Sequence, residues 1–512
     1  MDALWIGLHL PQLALELFEA TLPPAAPGAV PLPLAVMAAH RVVSANAGAM
    51  ALGVQPGQKR ATALALAPQL AMRQADAQQE ARALVSVAHA ALAFTPMVCL
   101  SPPQGVLLEV NASLRCFGGH DALRDRLRAT LRPLGHRIAC ASAPTAQGAH
   151  LLSQWQDGLH CRDVPELHQA LAQVPAGLLA SAQAHEQVLQ GMGLRTVGAL
   201  LRLPRSGVAR RFGEDLLDEL DRTCGRRPDP RAALVAPPVF DSGVELFARA
   251  DAAEQVRQGA QVLLHRLVAW LSAKQAFVRR FTLQMKHEPR WRREGQAPDM
   301  TCLEVALAQP SRDADHLQSL LNERLTRLRL PAPTLELGLQ ARDIVHQPPP
   351  NADLFPTPRN EREGLTRLVE RLQARLGSAT VQRWRKVPDH RPEKSFRHEE
   401  AAPGGFRGTD GQHPTACMAG LGASRSRPAW LLSEAQALPE RRSQPVLDGQ
   451  ALQLVSGPER IESGWWDSGV AERDYFIAQT PQGALVWIYR TRLPWTGEAQ
   501  SPGGWFLQGR FG

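Results

Sequence analysis

Two isolated carboxylates, Glu16 and Glu109, are the residues near the start of this chain that could take part in acid–base or metal chemistry. Glu109 stands in a short apolar run, Val106–Val110, between Pro102-Pro103 and Gly118-Gly119, a pattern that predicts a buried strand followed by a turn. Strands of this kind often carry paired carboxylates for metal-assisted phosphoryl transfer. Here the residues entering the strand are Gln104 and Gly105, and neither supplies a negative charge. Left alone, Glu16 reads as a helix-surface charge and Glu109 as a strand-end charge. The seven cysteines (99, 116, 140, 161, 224, 302 and 417) are odd in number and form no C-x-x-C pair, so neither a disulfide framework nor a zinc site is expected. No metal or other cofactor is expected.

Three other groups of residues have chemistry of their own. Leu189-Gln190-Gly191-Met192-Gly193-Leu194 lies between two helical patterns, followed by Arg195, Arg202, Arg205, Arg210 and Arg211. Glycines there let backbone N–H groups approach a phosphate, and the arginines can add contacts to it. Lys274, Arg279, Arg280 and Lys286 form a second basic set; Arg279 and Arg280 point to opposite faces of a strand, so at most one can share a face with its period-two partners. Asn351-Ala352-Asp353-Leu354-Phe355 sits in a proline-rich stretch, with an apolar pair suited to a pocket and an amide suited to its rim.

The elements that must position these residues follow from periodicity. Leu4–Leu10 predicts a buried strand, and Gln12–Ala20 continues with helical spacing. A proline-rich loop at 22–34 leads to strands at Ala35–Ala38 and Arg41–Ser44, then to alanine-rich helical sequence at 45–73 broken at Gly53 and Pro56-Gly57. Residues 77–94 predict an amphipathic helix, Asp121–Arg132 a second, and Arg137–Ser142 a strand: an α/β sheet with helices on one face. Strands are expected at Val244–Ala248, Phe277–Lys286, Thr301–Leu307 and Leu335–Ala341, with helices at Ala252–Leu271 and Arg312–Arg329. Consecutive prolines make 346–360 a linker. After a helix at 361–376, the Pro-, Gly-, Arg- and His-rich stretch 386–428 is expected to be disordered. Both tyrosines and five of the eleven tryptophans lie between 465 and 505, where strands at Asp474–Ala478, Ala484–Thr491 and Gly504–Gln508 are expected.

At 512 residues the chain is long enough for about three to five domains. Its formal charge of +8 favours a polyanionic partner only weakly. The N-terminal MDALWIGLHLPQ has no basic leader, and no apolar run approaches the ~18–20 residues that span a bilayer, so a soluble, cytoplasmic protein is expected.

In its order of strand, helical insert, helix and strand with a trailing acid, the first part of the chain resembles the palm and fingers of a Y-family translesion DNA polymerase. The family's first strand carries a metal-binding Asp nine residues before a Glu; here Glu16 is present and Gly7 takes the other position. The family's Asp-Glu pair matches Gln104-Gly105, its triphosphate-holding Tyr and Arg match Ala47 and Met50, and its lysines match Ala146 and His150. The resemblance implies an α+β multidomain chain with right-hand architecture: a degenerate palm at 1–165 with a fingers insert at about 11–75, a helix-hairpin-helix thumb at 166–236 and a little finger at 237–345. A linker at 346–429 carries residues 351–355, which resemble a bacterial sliding-clamp-binding peptide. A C-terminal region at 430–512, with Trp465, Trp466, Tyr475 and Phe476, resembles that of the Y-family-like subunit of a bacterial damage-induced mutasome.

The resemblance implies a non-catalytic adaptor in SOS-type mutagenesis. It would hold damaged primer-template DNA through Gly191, Gly193, Arg195, Lys274, Arg279, Arg280 and Lys286. It would also meet the clamp, an error-prone replicative-type polymerase and a RecA-like accessory protein, and no membrane. The alternatives are an active polymerase using displaced acids, or a DNA-binding repair protein without a clamp link.

Overall fold

The computed structural model describes residues 3–22, 32–288, 298–346, 358–401, 427–467, 469–492 and 504–511. The chain divides into two units, Met1–Glu363 and Gly364–Gly512.

In the first unit, β1 (Trp5–His9) is an inner strand of an antiparallel sheet ordered β5-β6-β1-β7, where β5 is Val98–Ser101, β6 Gly105–Glu109 and β7 Ala139–Ala143. Alternation divides the sheet into two faces. Ile6, Leu8, Val106, Leu108 and Cys140 pack under α4 (Ala77–Ala91) and α6 (His120–Leu131), against Leu84, Val87, Leu123 and Leu127. Asp76 starts α4 by accepting from the N–H groups of Gln78 (2.8 Å) and Gln79 (3.2 Å). The opposite face does not stay open, as the sequence led us to expect. There α7 (Ala146–Trp155) lies across β1 and β7, and the palm is a three-layer structure.

Glu16, on α1 (Leu13–Glu19), is also not a surface charge. It is buried, and its carboxylate accepts from the Arg137 N–H (2.9 Å) and from His136 Nδ1 (3.2 Å), fastening the loop that leads into β7. Glu109 does cap its own strand end, accepting from the Asn111 N–H (3.1 Å). Between β1 and α4, β2 (Leu34–Ala38), β3 (Arg41–Ala45) and β4 (Ala71–Gln74) form a sheet ordered β3-β2-β4, which α2 (Ala47–Ala51) and α3 (Arg60–Leu66) accompany.

A bundle of short helices follows, including α10 (Glu186–Gly191), α11 (Val197–Leu201), α12 (Arg205–Phe212) and α13 (Glu214–Thr223), whose apolar residues share a core with α7. Then β8 (Phe240–Ala250), β9 (Phe277–His287), β10 (Met300–Ser311) and β11 (Thr334–Val345) form an antiparallel sheet ordered β10-β9-β11-β8. Helices α14 (Arg257–Ala273) and α15 (Ala314–Arg327) pack with this sheet, and α14 also packs on α4.

The second unit contains part of α16 (Pro358–Leu376), a hairpin of β12 (Gln382–Lys386) and β13 (Phe396–Glu400), and a five-stranded antiparallel sheet. That sheet runs β14-β21-β20-β19-β18, with β14 Trp430–Leu438, β18 Gln453–Ser463, β19 Ala471–Gln479, β20 Leu485–Thr491 and β21 Trp505–Arg510. The hairpin corrects the expectation of disorder for 386–401, while 402–426 lie outside the described residues, and residues N-terminal to 430 belong to the same unit as the aromatic sheet. Arg391, in the turn of the hairpin, is buried, and its guanidinium donates to Asp389 (2.7 Å), to both carboxylate oxygens of Asp467 (2.8 Å each) and to the Gly469 carbonyl (2.8 Å). This cluster fastens the turn to a loop 76 residues later in the chain. No helix among the described residues is long and apolar enough to cross a membrane.

Candidate functional site: a filled palm centre and a basic helical turn

Gly7 and Gly105 lie on the sheet face that α7 covers, and the reason for glycine at both is steric. A Cβ on Gly7 would stand 2.3 Å from the Ala149 carbonyl oxygen, 2.6 Å from its carbon and 3.0 Å from the His150 nitrogen. All three atoms are α7 backbone, which cannot swing aside as a side chain can. A Cβ on Gly105 would meet the Ser101 carbonyl oxygen at 2.7 Å and the His150 ring at 2.8 Å. A carboxylate at either position therefore has no room without displacement of the helix or the β5–β6 turn. The Gln104 carbonyl accepts from the Leu10 N–H (2.9 Å), continuing the β1–β6 pairing.

The start of α7 is held firmly where it lies. Thr145 Oγ1 accepts from the Gly148 N–H (3.0 Å) as an N-cap and donates to the Thr223 carbonyl (2.8 Å) on α13. Arg231 bridges Asp229 (2.8 Å) and the Gln147 amide oxygen (2.7 Å). His150 takes a hydrogen bond from Gln154 Nε2 (2.8 Å). Burial, then the Arg231 charge and His9, push the His150 pKa down to about 4, and burial also lowers that of His9. Neutral imidazoles and small side chains thus occupy the palm centre. Among the described residues no group of three His, Cys, Asp or Glu side chains is placed to hold a metal ion.

Two other positions singled out in the sequence have local roles. Ala146 is buried in α7, while Met50 is exposed on α2. Asn46, just before it, uses its side chain to join the Leu34 N–H (3.0 Å), the Leu32 carbonyl (2.8 Å) and the Ala49 N–H (2.9 Å).

The helix-hairpin-helix reading finds its geometry in α10 and α11. Gly193 has φ +75°, a left-handed conformation that suits glycine, and the space beside Gly191 is open. Leu194 N–H closes the turn on the Leu189 carbonyl (2.9 Å). Arg195, Arg202, Arg210 and Arg211 are exposed and carry no ion pair among the described residues. Arg205 differs: both guanidinium nitrogens bind Asp221 (2.6 and 2.5 Å), so it braces α12 on α13.

The structure does not bring the second basic set onto one surface. Phe281, Leu283 and Met285 of β9 are buried, while Arg280 and Lys286 alternate onto the other side. There Arg280 pairs with Glu304 (3.3 Å) and Lys286 with Glu336 (2.9 Å). Arg279 is exposed on the opposite side of the alternation. Lys274 caps the C-terminus of α14, away from that face, in a cleft it shares with Leu92, Thr130, Phe277 and Arg312. Its charge and burial lower the His89 pKa to about 4, burial being the larger cause.

In the second unit the four aromatics divide. Trp465 and Trp466 are 77% and 56% exposed and pack edge to face, with ring centroids 4.6 Å apart. Tyr475 is buried, stacked on Trp487 at 4.3 Å and hydrogen-bonded to Arg473 (3.1 Å), so it belongs to the core and not to a surface; Phe476 packs on Trp505 at 5.3 Å. Residues 351–355 lie outside the described residues.

Sequence reasoning passed over Thr145, Ala149 and Arg231, the residues that close the palm. A signal for them did exist: a glycine in the middle of a buried strand marks close approach by another backbone.

Residues 27–154 match the sequence model of the impB/mucB/samB family. Over most of its length the chain is similar to ImuB proteins. It is 28% identical over 486 residues, 90% of this chain and all of the relative, to Protein ImuB of Caulobacter vibrioides strain NA1000 / CB15N. The same figures hold for Protein ImuB of strain ATCC 19089 / CIP 103742 / CB 15. Among solved structures, a Dbh ternary complex aligns with a TM-score of 0.38 at 16% identity, covering 67% of this chain and 99% of that one. An insertion ternary complex of Dbh DNA polymerase aligns with the same score at 15% identity, covering 67% of this chain and all of that one.

Proposed function

We propose that this chain is a non-catalytic, polymerase-like adaptor in damage-induced mutagenesis and translesion synthesis. One observation carries the reading: at positions 7, 104 and 105 the chain has no carboxylate, and at Gly7 the α7 backbone fills the space a carboxylate would need. Metal-assisted phosphoryl transfer depends on several carboxylate oxygens at one point, and these residues cannot supply them. The exposed arginines around Gly191 and Gly193 suit phosphate contacts, which bind DNA without base specificity and weaken with salt.

In this reading, residues 351–355 dock in an apolar pocket of the sliding clamp. Trp465 and Trp466 meet a protein partner, either the error-prone polymerase that performs synthesis or a RecA-like accessory protein. Primer extension with Mg²⁺ or Mn²⁺ tests the first part: template-dependent extension by the purified chain would refute it. Co-elution with the clamp tests the second. Leu354→Ala with Phe355→Ala should abolish it, and unchanged co-elution removes the clamp from the proposal.

A further inference from the structure

Helix α16 presents an apolar row that its own unit does not cover. Between 364 and 377 the helix buries Thr366, Val369, Glu370 and Ala374, and Gln373 on the same side donates to the Ala401 carbonyl (2.6 Å). Helical periodicity puts Leu365, Leu368, Leu372 and Leu376 on the next face round, and there they are 40%, 51%, 37% and 49% exposed. Their spacing of three, four and four residues makes a single row roughly 16 Å long. Exposed leucines scattered singly need no explanation, but a contiguous row of four does.

The flank of the row away from the packed face is basic. Arg371 and Arg375 follow Leu368 by three and seven residues, are exposed, and carry no ion pair among the described residues. Glu370 is the one carboxylate between 364 and 377, and it is buried on the far side of the helix. Past the helix end, Glu399 is taken by Arg383 (3.6 Å) and Arg385 (3.1 Å), and Glu400 lies beside Ser378 (3.5 Å). The helix is also firmly ended. The Gly377 N–H meets the Gln373 carbonyl (2.9 Å), and Thr380 Oγ1 donates to the Leu376 carbonyl (3.1 Å). The row is therefore a fixed ridge and not a fraying end.

We infer that this ridge docks an amphipathic helix of a protein partner, one whose apolar stripe is flanked by aspartate or glutamate. Leucines at helical spacing fill the grooves of a facing helix, and carboxylates on its flank pair with Arg371 and Arg375. Charge decides against a second copy. Antiparallel two-fold pairing of the ridge sets both arginine rows on the same side, facing each other, and in parallel pairing each row meets the other's packed flank, which offers Val369 and Gln373 but no carboxylate. Four aliphatic side chains give bases nothing to stack on, so the row does not suit a nucleic acid. The ridge does not use Trp465 or Trp466, and the inference stands whichever partner they meet.

The test uses the full chain and two synthetic helical peptides of about 20 residues with leucine at the ridge spacing, one flanked by glutamate and the other by lysine. Fluorescence anisotropy gives the affinities, and hydrogen exchange read by mass spectrometry locates the contact. The glutamate peptide should bind at least about fivefold more tightly than the lysine peptide, with protection in 364–377. Leu368→Ser with Leu372→Ser should weaken that binding at least about tenfold and leave the melting transition where it was. Arg371→Glu with Arg375→Glu should reverse the preference between the peptides. Equal binding of the two peptides, or binding of neither, overturns the inference, and so does protection confined to other segments. Dimers in light scattering that Leu368→Ser with Leu372→Ser disperses give the ridge to a second copy, and retention by phosphatidylglycerol vesicles that the same change abolishes gives it to a lipid surface; either result also overturns it.

Discussion

Replacing Gly7 by alanine asks whether the palm centre is filled or merely short of charge. The added Cβ would lie 2.3 Å from the Ala149 carbonyl oxygen, where ordinary contact begins at 3.4 Å. Either α7 or β1 must therefore yield by about an ångström, yet β1 is paired on both edges and α7 is capped by Thr145. Overpacking of a tight interior costs about 1–3 kcal/mol, and a clash with backbone belongs at the upper end. Against this, alanine is better than glycine in a strand by roughly 0.5–1 kcal/mol, which leaves a net loss of about 2 kcal/mol. For a unit spanning Met1–Glu363 that corresponds to a melting transition lower by about 2–3 °C in calorimetry. Gly7→Asp should lose more, since it adds an unpaired carboxylate to the same space. The triple change Gly7→Asp, Gln104→Asp, Gly105→Glu should show no Mg²⁺-dependent primer extension. If Gly7→Ala melts within about 1 °C of the wild type, α7 is not closed on β1 as described. Template-directed synthesis by the triple variant would sink the argument that packing forbids the site.

Three further outcomes can be checked. Glu16→Ala should destabilise the palm by about 2 kcal/mol, because the Arg137 N–H loses a charged acceptor in a buried place; urea unfolding reads this, and Glu16→Gln should recover part of it. His150 has a folded pKa of about 4 against an unfolded value near 6.5, so the unfolded chain binds the extra proton between those values. Stability should be complete above about pH 6.5 and fall as pH drops toward 4, by up to about 3 kcal/mol from this residue, and His150→Gln should flatten that part of the pH–stability curve. DNA binding by the full chain should fall steeply between low and physiological salt, and a flat salt response would argue against phosphate contacts on any of its surfaces.

Much of this protein was legible because its signals are local. Period-two and period-3.6 patterns located the little-finger strands and helices within a few residues, since alternation records which side chains share a face. Residue types alone removed the carboxylates from positions 7, 104 and 105, and the glycines at 191 and 193 marked the turn between two helices. What covers a face is decided by contacts distant in the chain, and periodicity carries no record of them. Gly7 is glycine because of a helix backbone some 140 residues later, and Glu16 is buried because of a loop at 136–137. Trp465 and Tyr475 are equally aromatic, yet Trp465 is exposed in the turn after β18 and Tyr475 is stacked on Trp487 in a core. Residues 386–400 look too polar to fold, and they fold because Arg391 finds Asp467. Composition thus determined which chemistry was available, and only the packing of distant segments decided where it could be used.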